Sequence, residues 1–327
     1  MRRNLFAGKL QSGGLSLNIF TNDELDQIHS ATLEVMERTG LFVGDKEARE
    51  ILDGGGARVD EKTKTVKFPP HVVEDAIRWA PSKVYLAGRN PKNDIVLESN
   101  RVGFTNFGEG VFIIDPYTGE RRETTKKDVA DSARLVDSLS EVDVYERAVG
   151  ASDVPEETVQ LHNAEAWMSN TSKHGFMGTG DGYLTKKVFE MAAAIVGGKE
   201  ELRKRPIVSA ITCPISPLQL VGETCEIIME CARAGIMVNV LSMAMAGGSS
   251  PITLAGTLVD HNAEVLGGLV LNQLTSRGAP FMYGSSTTAM DLRFAAATVG
   301  CPECAMINAA VAQMSRYYLL PSWVAGG

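Results

Sequence analysis

The chain has 327 residues, 44% hydrophobic and 22% charged, with a formal net charge of -8. This is a globular composition with material for one large α/β domain or two smaller ones, and its acidity argues against general nucleic-acid binding. No apolar run reaches membrane-spanning length without polar breaks, Met1-Arg2-Arg3-Asn4 lacks the apolar core of a signal peptide, and five cysteines fit free thiols in a reducing cytoplasm.

Residues 1 to about 20, with Gly8, Gly13 and Gly14, read as a loose lead-in. Thr21-Asn22-Asp23-Glu24 is a capping box that starts a helix. Its apolar face runs through Ile28, Leu33, Val35 and Met36 to a stop at Gly40. A second helix is predicted over 46–52, closed by Gly54-Gly55-Gly56. A hairpin follows around 57–59 and 66–68, and a third helix over 71–79 behind Pro69-Pro70. Residues 1–100 thus read as an α-rich N-terminal region with short strands.

Strands are predicted over 84–87, 95–97, 101–106 and 111–115, the last running into the turn Asp115-Pro116-Tyr117-Thr118-Gly119. Alternation then begins. Strands at 144–151, 175–179, 207–212, 237–243, 281–285 and 323–325 are separated by helices over 126–139, 156–171, 184–196, 218–234 and 302–318, Thr125 capping the first. Another long helix follows the break Gly247-Gly248-Ser249-Ser250. Pro251 suits its first turn, Ser250 is its N-cap, and its apolar spacing continues past Val270. Six strands from Val144 onward, each with turn residues behind it, imply βαβ units. They favour a (β/α)8 TIM-type barrel over residues 101–327, incomplete at the C-terminus because the sixth strand ends at the chain's end. No G-x-G-x-x-G follows an early strand, so the Rossmann signature is missing. A barrel stopped there exposes an unpaired edge, and the chain by itself is expected to be poorly soluble and inactive.

The reactive face of a barrel lies at the C-terminal ends of its strands. That selects Ser152, Asp153, Gly180, Asp181, Thr212, Cys213 and residues 243–250, 283–288 and 325–327. Asp260, His261, Asn262 and Glu264 interrupt an otherwise apolar helix, and His261 and Glu264, three apart, share a face. One reading is a buried acid and imidazole facing the mouth. The other is a polar stripe satisfied by neighbouring helices. Tyr283 is either a polar aromatic at the mouth or a core tyrosine.

The stretches 247–250 and 284–288 are Gly/Ser-rich enough to cradle phosphate or admit a large flat cofactor. No Gly-Lys-Ser/Thr accompanies them, which argues against a nucleoside triphosphate. Asn106-Phe107-Gly108-Glu109 is a further polar loop without an assigned role. Cys301-Pro302-Glu303-Cys304 has the form of a redox pair or half a zinc site. With no second C-x-x-C, a pair of structural thiols is the preferred reading. Five histidines without ligand spacing give no metal site.

The segments TCPISPLQL (212–220), VNVLSMAMAGGSSPITLAGTLVDHNAEVLGGLVLNQLT (238–275), YGSSTTAMDLR (283–293) and LPSWVAGG (320–327) resemble the trimethylamine–corrinoid protein methyltransferase family. The resemblance runs from L-N-I-F-T (17–21) across nearly the whole chain. It implies a (β/α)8 barrel with N-terminal additions. It also implies demethylation of a small methylated amine, the methyl passing to the Co(I) corrinoid of a separate corrinoid protein, none of it bound tightly by this chain.

In that family a pyrrolysine directly after the V-A-G-G segment carries the activation. Its ring imine adds the amine nitrogen and makes it a better leaving group. Here that position would follow Gly327, as an amber codon read as termination would produce. In this light Glu264 is the candidate to position or protonate the amine, with His261 and Tyr283 beside it. Gly247, Gly248, Ser249, Ser250, Gly284 and Ser285 line the corrinoid's approach. A cytoplasmic homo-oligomer is expected for the full-length protein. The runner-up is a glycine betaine or other quaternary-amine methyltransferase without pyrrolysine. A rival of another class is a non-catalytic barrel that binds an amine or docks a corrinoid protein.

Overall fold

The computed structural model describes residues 9–10, 18–98 and 101–325. The lead-in expected at the N-terminus therefore lies almost wholly outside the described residues, as do Gly326 and Gly327. The chain forms two compact units. One holds 84–210 with Lys9–Leu10, the other 18–83 and 211–325.

In the first unit, Thr125 starts the helix Lys126–Ser138 through a capping box with Asp128, satisfying two donors that the helix end leaves open. The strand β1 (Val144–Glu146) pairs in parallel with β2 (His174–Gly178), Val144 opposite His174 and Glu146 opposite Phe176. β3 (Val208–Thr212) begins in this unit beside β2. The connecting helices are Val159–Met168 and Gly182–Val196. Asp181 caps the latter, its carboxylate accepting from Leu184 N at 2.7 Å. β1 is shorter than its sequence suggests. Asn106 clamps the Glu146 backbone through both amide atoms, and the chain then bridges Gly110 to Val149 instead of extending the ladder. The helix expected from Glu156 opens as a 3-10 turn, Glu156–Thr158, behind Pro155. His174 is fully buried, held by Ser209 Oγ at 2.7 Å and the carbonyls of Ala87 and Pro206. Burial pushes its imidazole down to about 4, so it is neutral.

The second unit is built around one helix, Leu254–Thr275. The helices Asn22–Arg38, Pro70–Trp79 and Gly222–Ala234 and the parallel strands β4 (Val238–Ser242) and β5 (Phe281–Ser285) all pack on it. This explains a sequence that is apolar nearly all round: every side of the helix faces protein. Each fully buried Leu or Val contributes about 1.5–3 kcal/mol. Gly268 permits the approach of β4, because a Cβ there would meet Val240 Cγ1 at 3.0 Å. β4 and β5 run in register, Val238 with Phe281 through Ser242 with Ser285, and β5 pairs in turn with β6 (Ser322–Val324).

Two expectations are corrected here. Thr253, not Ser250, caps the central helix, its hydroxyl accepting from Gly256 N at 3.3 Å, while Ser250 Oγ bonds Thr257 Oγ1 instead. The helix expected from Leu218 starts at Gly222, because Gln219–Leu220 pairs as a strand with Leu41–Val43. That pairing puts Leu41–Val43, Thr65–Lys67 and Arg58–Asp60 in one small sheet with residues far along the chain. Among the described residues no helix is long and apolar enough to cross a membrane.

Candidate functional site

Asp260, His261, Asn262 and Glu264 of the central helix are all buried, and Glu264 reaches the C-terminal end of β4. Glu264 Oε2 accepts from Ser242 Oγ, the last residue of β4, at 2.7 Å and from Ser216 Oγ at 2.9 Å. Its Oε1 accepts from Leu218 N at 2.9 Å. Leu218 has φ +58°, in the left-handed region, and its carbonyl accepts from Phe42 N. The carboxylate therefore ties the loop after β3 to the end of β4. Burial raises its pKa, and the three donors oppose the rise.

One turn away, Asp260 Oδ2 has no hydrogen-bond partner among the described residues. Burial, and then the charge of Glu264, push this carboxyl up to about 7.

His261 is completely buried. Its Nδ1 lies 2.9 Å from Thr287 Oγ1, whose own proton goes to Ser242 O at 3.3 Å. The imidazole is therefore the donor at Nδ1, and its Nε2 lone pair meets no partner among the described residues. Burial pushes its pKa down to about 3, so the ring is neutral.

Tyr283 stands edge-on to His261, ring centroids 5.3 Å apart, and donates to Asn262 Oδ1 at 2.7 Å. Asn262 Nδ2 reaches Thr32 Oγ1 and Tyr318 OH at 2.9 and 2.8 Å. Tyr318 OH contacts His29 Nδ1 at 2.9 Å, and His29 Nε2 contacts Glu74 Oε1 at 2.7 Å. Thus the structure brings Glu264, His261 and Tyr283 to one helix–strand seam. It adds Ser216, Ser242, Thr287 and Asn262, of which only Asn262 broke the apolar pattern visibly.

The Gly/Ser stretches are placed differently from one another. In 247–250, Gly248 N, Ser249 N and Ser250 N all turn onto Met245 O at 2.9–3.1 Å, and Gly247 N onto Ser250 O. With its amides spent internally, this loop does not form the phosphate cradle that its composition suggests. Gly284 and Ser285 belong to β5 rather than to a loop. A Cβ at Gly284 would fall 2.1 Å from Asn239 Oδ1, so glycine is what lets β4 and β5 close there.

The first unit carries a second group at a strand end. Glu146 is 3% exposed, with Oε2 unpartnered among the described residues, and burial pushes it up to about 8. Gly108 closes over it, since a Cβ there would lie 2.7 Å from Glu146 Oε1. Glu109, at φ +69°, pairs with Arg147. The polar loop 106–109 is thereby accounted for structurally, a role its sequence did not reveal. Among the described residues no group of three or more His, Cys, Asp or Glu side chains is placed to hold a metal ion.

The parallel strands and the helices between them define an α/β protein. Two crystal structures of MtmB, a hydroxylamine complex and the monomethylamine methyltransferase of Methanosarcina barkeri, match 92% of this chain and 67% of theirs. In both cases the TM-score is 0.53 at 12% identity, a likeness of fold. The family model for trimethylamine methyltransferase (MTTB) matches residues 4–327, and the chain belongs to that family.

The trimethylamine methyltransferase MttB of Desulfitobacterium hafniense is 56% identical over all of this chain and 66% of its own length. The MttB of Methanosarcina thermophila is 45% identical over 99% of this chain and 68% of its own. A glycine betaine methyltransferase from Desulfitobacterium hafniense is 32% identical over 95% of this chain. The chain spans about two thirds of the length of the curated relatives it matches.

Proposed function

We propose that the protein transfers a methyl group from trimethylamine to the corrinoid of a partner corrinoid protein. The observation that carries this is 56% identity to a trimethylamine methyltransferase along the entire chain. The glycine betaine enzyme, at 32%, is a more distant relative, which favours the tertiary amine over the quaternary one. The six strands are read as part of a (β/α)8 TIM-type barrel, supported by the fold likeness to MtmB.

The reaction breaks a CH3–N bond of the protonated amine, trimethylammonium; the electron pair stays on nitrogen, which departs with its proton as neutral dimethylamine. The corrinoid, carried by its own protein, supplies the nucleophile that accepts the methyl group.

In this reading Glu264 is a positioning residue. It holds Ser216, Leu218 and Ser242 at the strand ends where the amine is placed. His261 holds the segment just past β5 through Thr287, and Tyr283 ties the middle of β5 to Asn262. The turn 247–250 and the β5 residues Gly284 and Ser285 border the corrinoid's approach. The residue after the V-A-G-G segment is proposed to be pyrrolysine, which sequencing beyond the Gly327 codon tests.

The experiment is methyl transfer by the full-length protein with reduced corrinoid protein and either trimethylamine or glycine betaine. Corrinoid methylation dependent on trimethylamine is expected. Methylation from glycine betaine alone would install the runner-up, and amine binding without transfer would favour the non-catalytic barrel.

A further inference from the structure

Cys301-Pro302-Glu303-Cys304 opens the helix Pro302–Tyr317. Cys301 is the N-cap. Its Sγ accepts from Cys304 N at 3.3 Å, the bond a Ser or Asp cap makes elsewhere. Cys304 carries its own sulfur only two bonds beyond the Cα of that same residue, which keeps it close to Cys301 Sγ. The sulfurs are already distinguished by their surroundings. Cys301 is half-buried, whereas Cys304 is 3% exposed.

Thr298 Oγ1 gives its proton to Ala289 O at 2.8 Å. The Cys301 thiol therefore donates to Thr298 Oγ1, 3.2 Å away, which aims its sulfur. Asn308, 7% exposed, donates from Nδ2 to Cys304 Sγ at 3.4 Å and to Ala325 O at 2.7 Å, while its Oδ1 has no partner among the described residues. A half-buried attacking sulfur, a buried resolving sulfur three residues on and donors trained on both are the parts of an exchanging dithiol.

The geometry points to Cys301 and Cys304 as a reversible dithiol–disulfide pair that exchanges with low-molecular-weight disulfides. The Cys301 thiolate attacks one sulfur of R–S–S–R, forming the Cys301 mixed disulfide and releasing one thiolate RS⁻. The Cys304 thiolate then attacks the Cys301 sulfur, closing the Cys301–Cys304 bond and releasing the second RS⁻. Two electrons pass from the protein to R–S–S–R, and the two thiol protons end on the two released thiols. Because Asn308 bridges Cys304 to Ala325, oxidation also disturbs the residue just past β6, whose amide donates to Ser285 O. The pair is thus wired to the strand end beside the proposed site, yet its chemistry stands apart from methyl transfer.

Two of the three other cysteines provide an internal comparison, the third, Cys213, being half-buried. Cys225 is buried and pushed up to about 12, and Cys231 is fully buried with its pKa raised further. Both should stay unreacted.

The test is to equilibrate the full-length protein with oxidised glutathione, quench with iodoacetamide and map peptides by mass. The expected result is one peptide containing Cys301 and Cys304, lighter by two hydrogens and unalkylated, and restored to the doubly alkylated form by dithiothreitol. Cys304→Ser should trap a stable glutathione adduct on Cys301. Cys301→Ser should slow thiol loss in this peptide by about tenfold or more. Full alkylation of both cysteines in the wild type after equilibration would overturn the proposal. So would separate glutathione adducts on each sulfur with no bond between them. The wild-type result decides even where a variant folds poorly.

Discussion

Replacing Glu264 by alanine and by glutamine separates the weight the carboxylate bears from the charge it carries. Two serine hydroxyls and the Leu218 amide donate to it at 2.7–2.9 Å, inside a seam that excludes water. Alanine leaves all three facing a void. A buried unsatisfied group costs about 1–3 kcal/mol, but the hydroxyls can rotate to other acceptors, so the orphaned amide and the cavity dominate a loss of about 3–5 kcal/mol. Glutamine keeps the shape. Its oxygen serves Leu218 N and its NH2 donates to the serine oxygens, for a loss of about 1–2 kcal/mol.

Protonation adds a sign that glutamine lacks. The folded pKa of Glu264 is raised above its ordinary 4.5, so the folded chain binds a proton that the unfolded chain releases. The stability this contributes is full below about 4.5 and declines as pH rises through the raised folded value. Urea unfolding followed by circular dichroism at pH 5 and pH 8 reads both effects. Alanine should be far worse than glutamine, and the advantage of wild type over glutamine should shrink at pH 8. An alanine variant within about 1 kcal/mol of wild type would refute the claim that this carboxylate holds the loop after β3.

Other outcomes follow from the same packing. Gly284→Ala sets a methyl 2.1 Å from Asn239 Oδ1 and 2.9 Å from Val240 O, and should cost about 2–3 kcal/mol by thermal melting; an unchanged melt contradicts the close approach of β4 and β5. Asp260 rises from 3.8 to about 7, roughly three tenfold steps or about 4 kcal/mol before partial hydration trims it to about 2–3. Wild type should therefore lose stability between pH 4 and 7 relative to Asp260→Asn, and parallel pH profiles would show that the carboxyl is solvated. Asn262→Leu strands the Tyr283 hydroxyl, while Tyr318 keeps His29, and should cost about 1–3 kcal/mol in guanidinium unfolding. Adding Tyr283→Phe should recover part of it, and strict additivity would deny their contact.

Local patterns were read where local physics decides. The Thr21 and Thr125 caps, the Pro302 helix start and the run of strands with intervening helices all follow from neighbours in sequence. Asp260, His261, Asn262 and Glu264 stood out because ionisable groups in an apolar helix need partners. Their partners did not stand out. Ser216 and Leu218 lie far along the chain from Glu264, and nothing near Gln219–Leu220 signals a pairing with Leu41–Val43. The same distance hid Glu146, whose burial depends on Gly108 closing over it.

The row of contacts from Tyr283 to Glu74 has a direction. Asn262 donates to Tyr318, so the Tyr318 proton must go to His29 Nδ1, and the His29 proton, on Nε2, to Glu74. Reversing the Asn262 amide would aim oxygen at Tyr318 and NH2 at the hydroxyl of Tyr283, and would break the sequence at both ends. The row therefore works as a key. Rotating the central helix by one residue would offer His261 or Ala263 to a lock cut for an amide, and neither can donate twice while accepting once. The angle of this helix about its axis is thus written in hydrogen-bond polarity as well as in the close approach of β4 at Gly268.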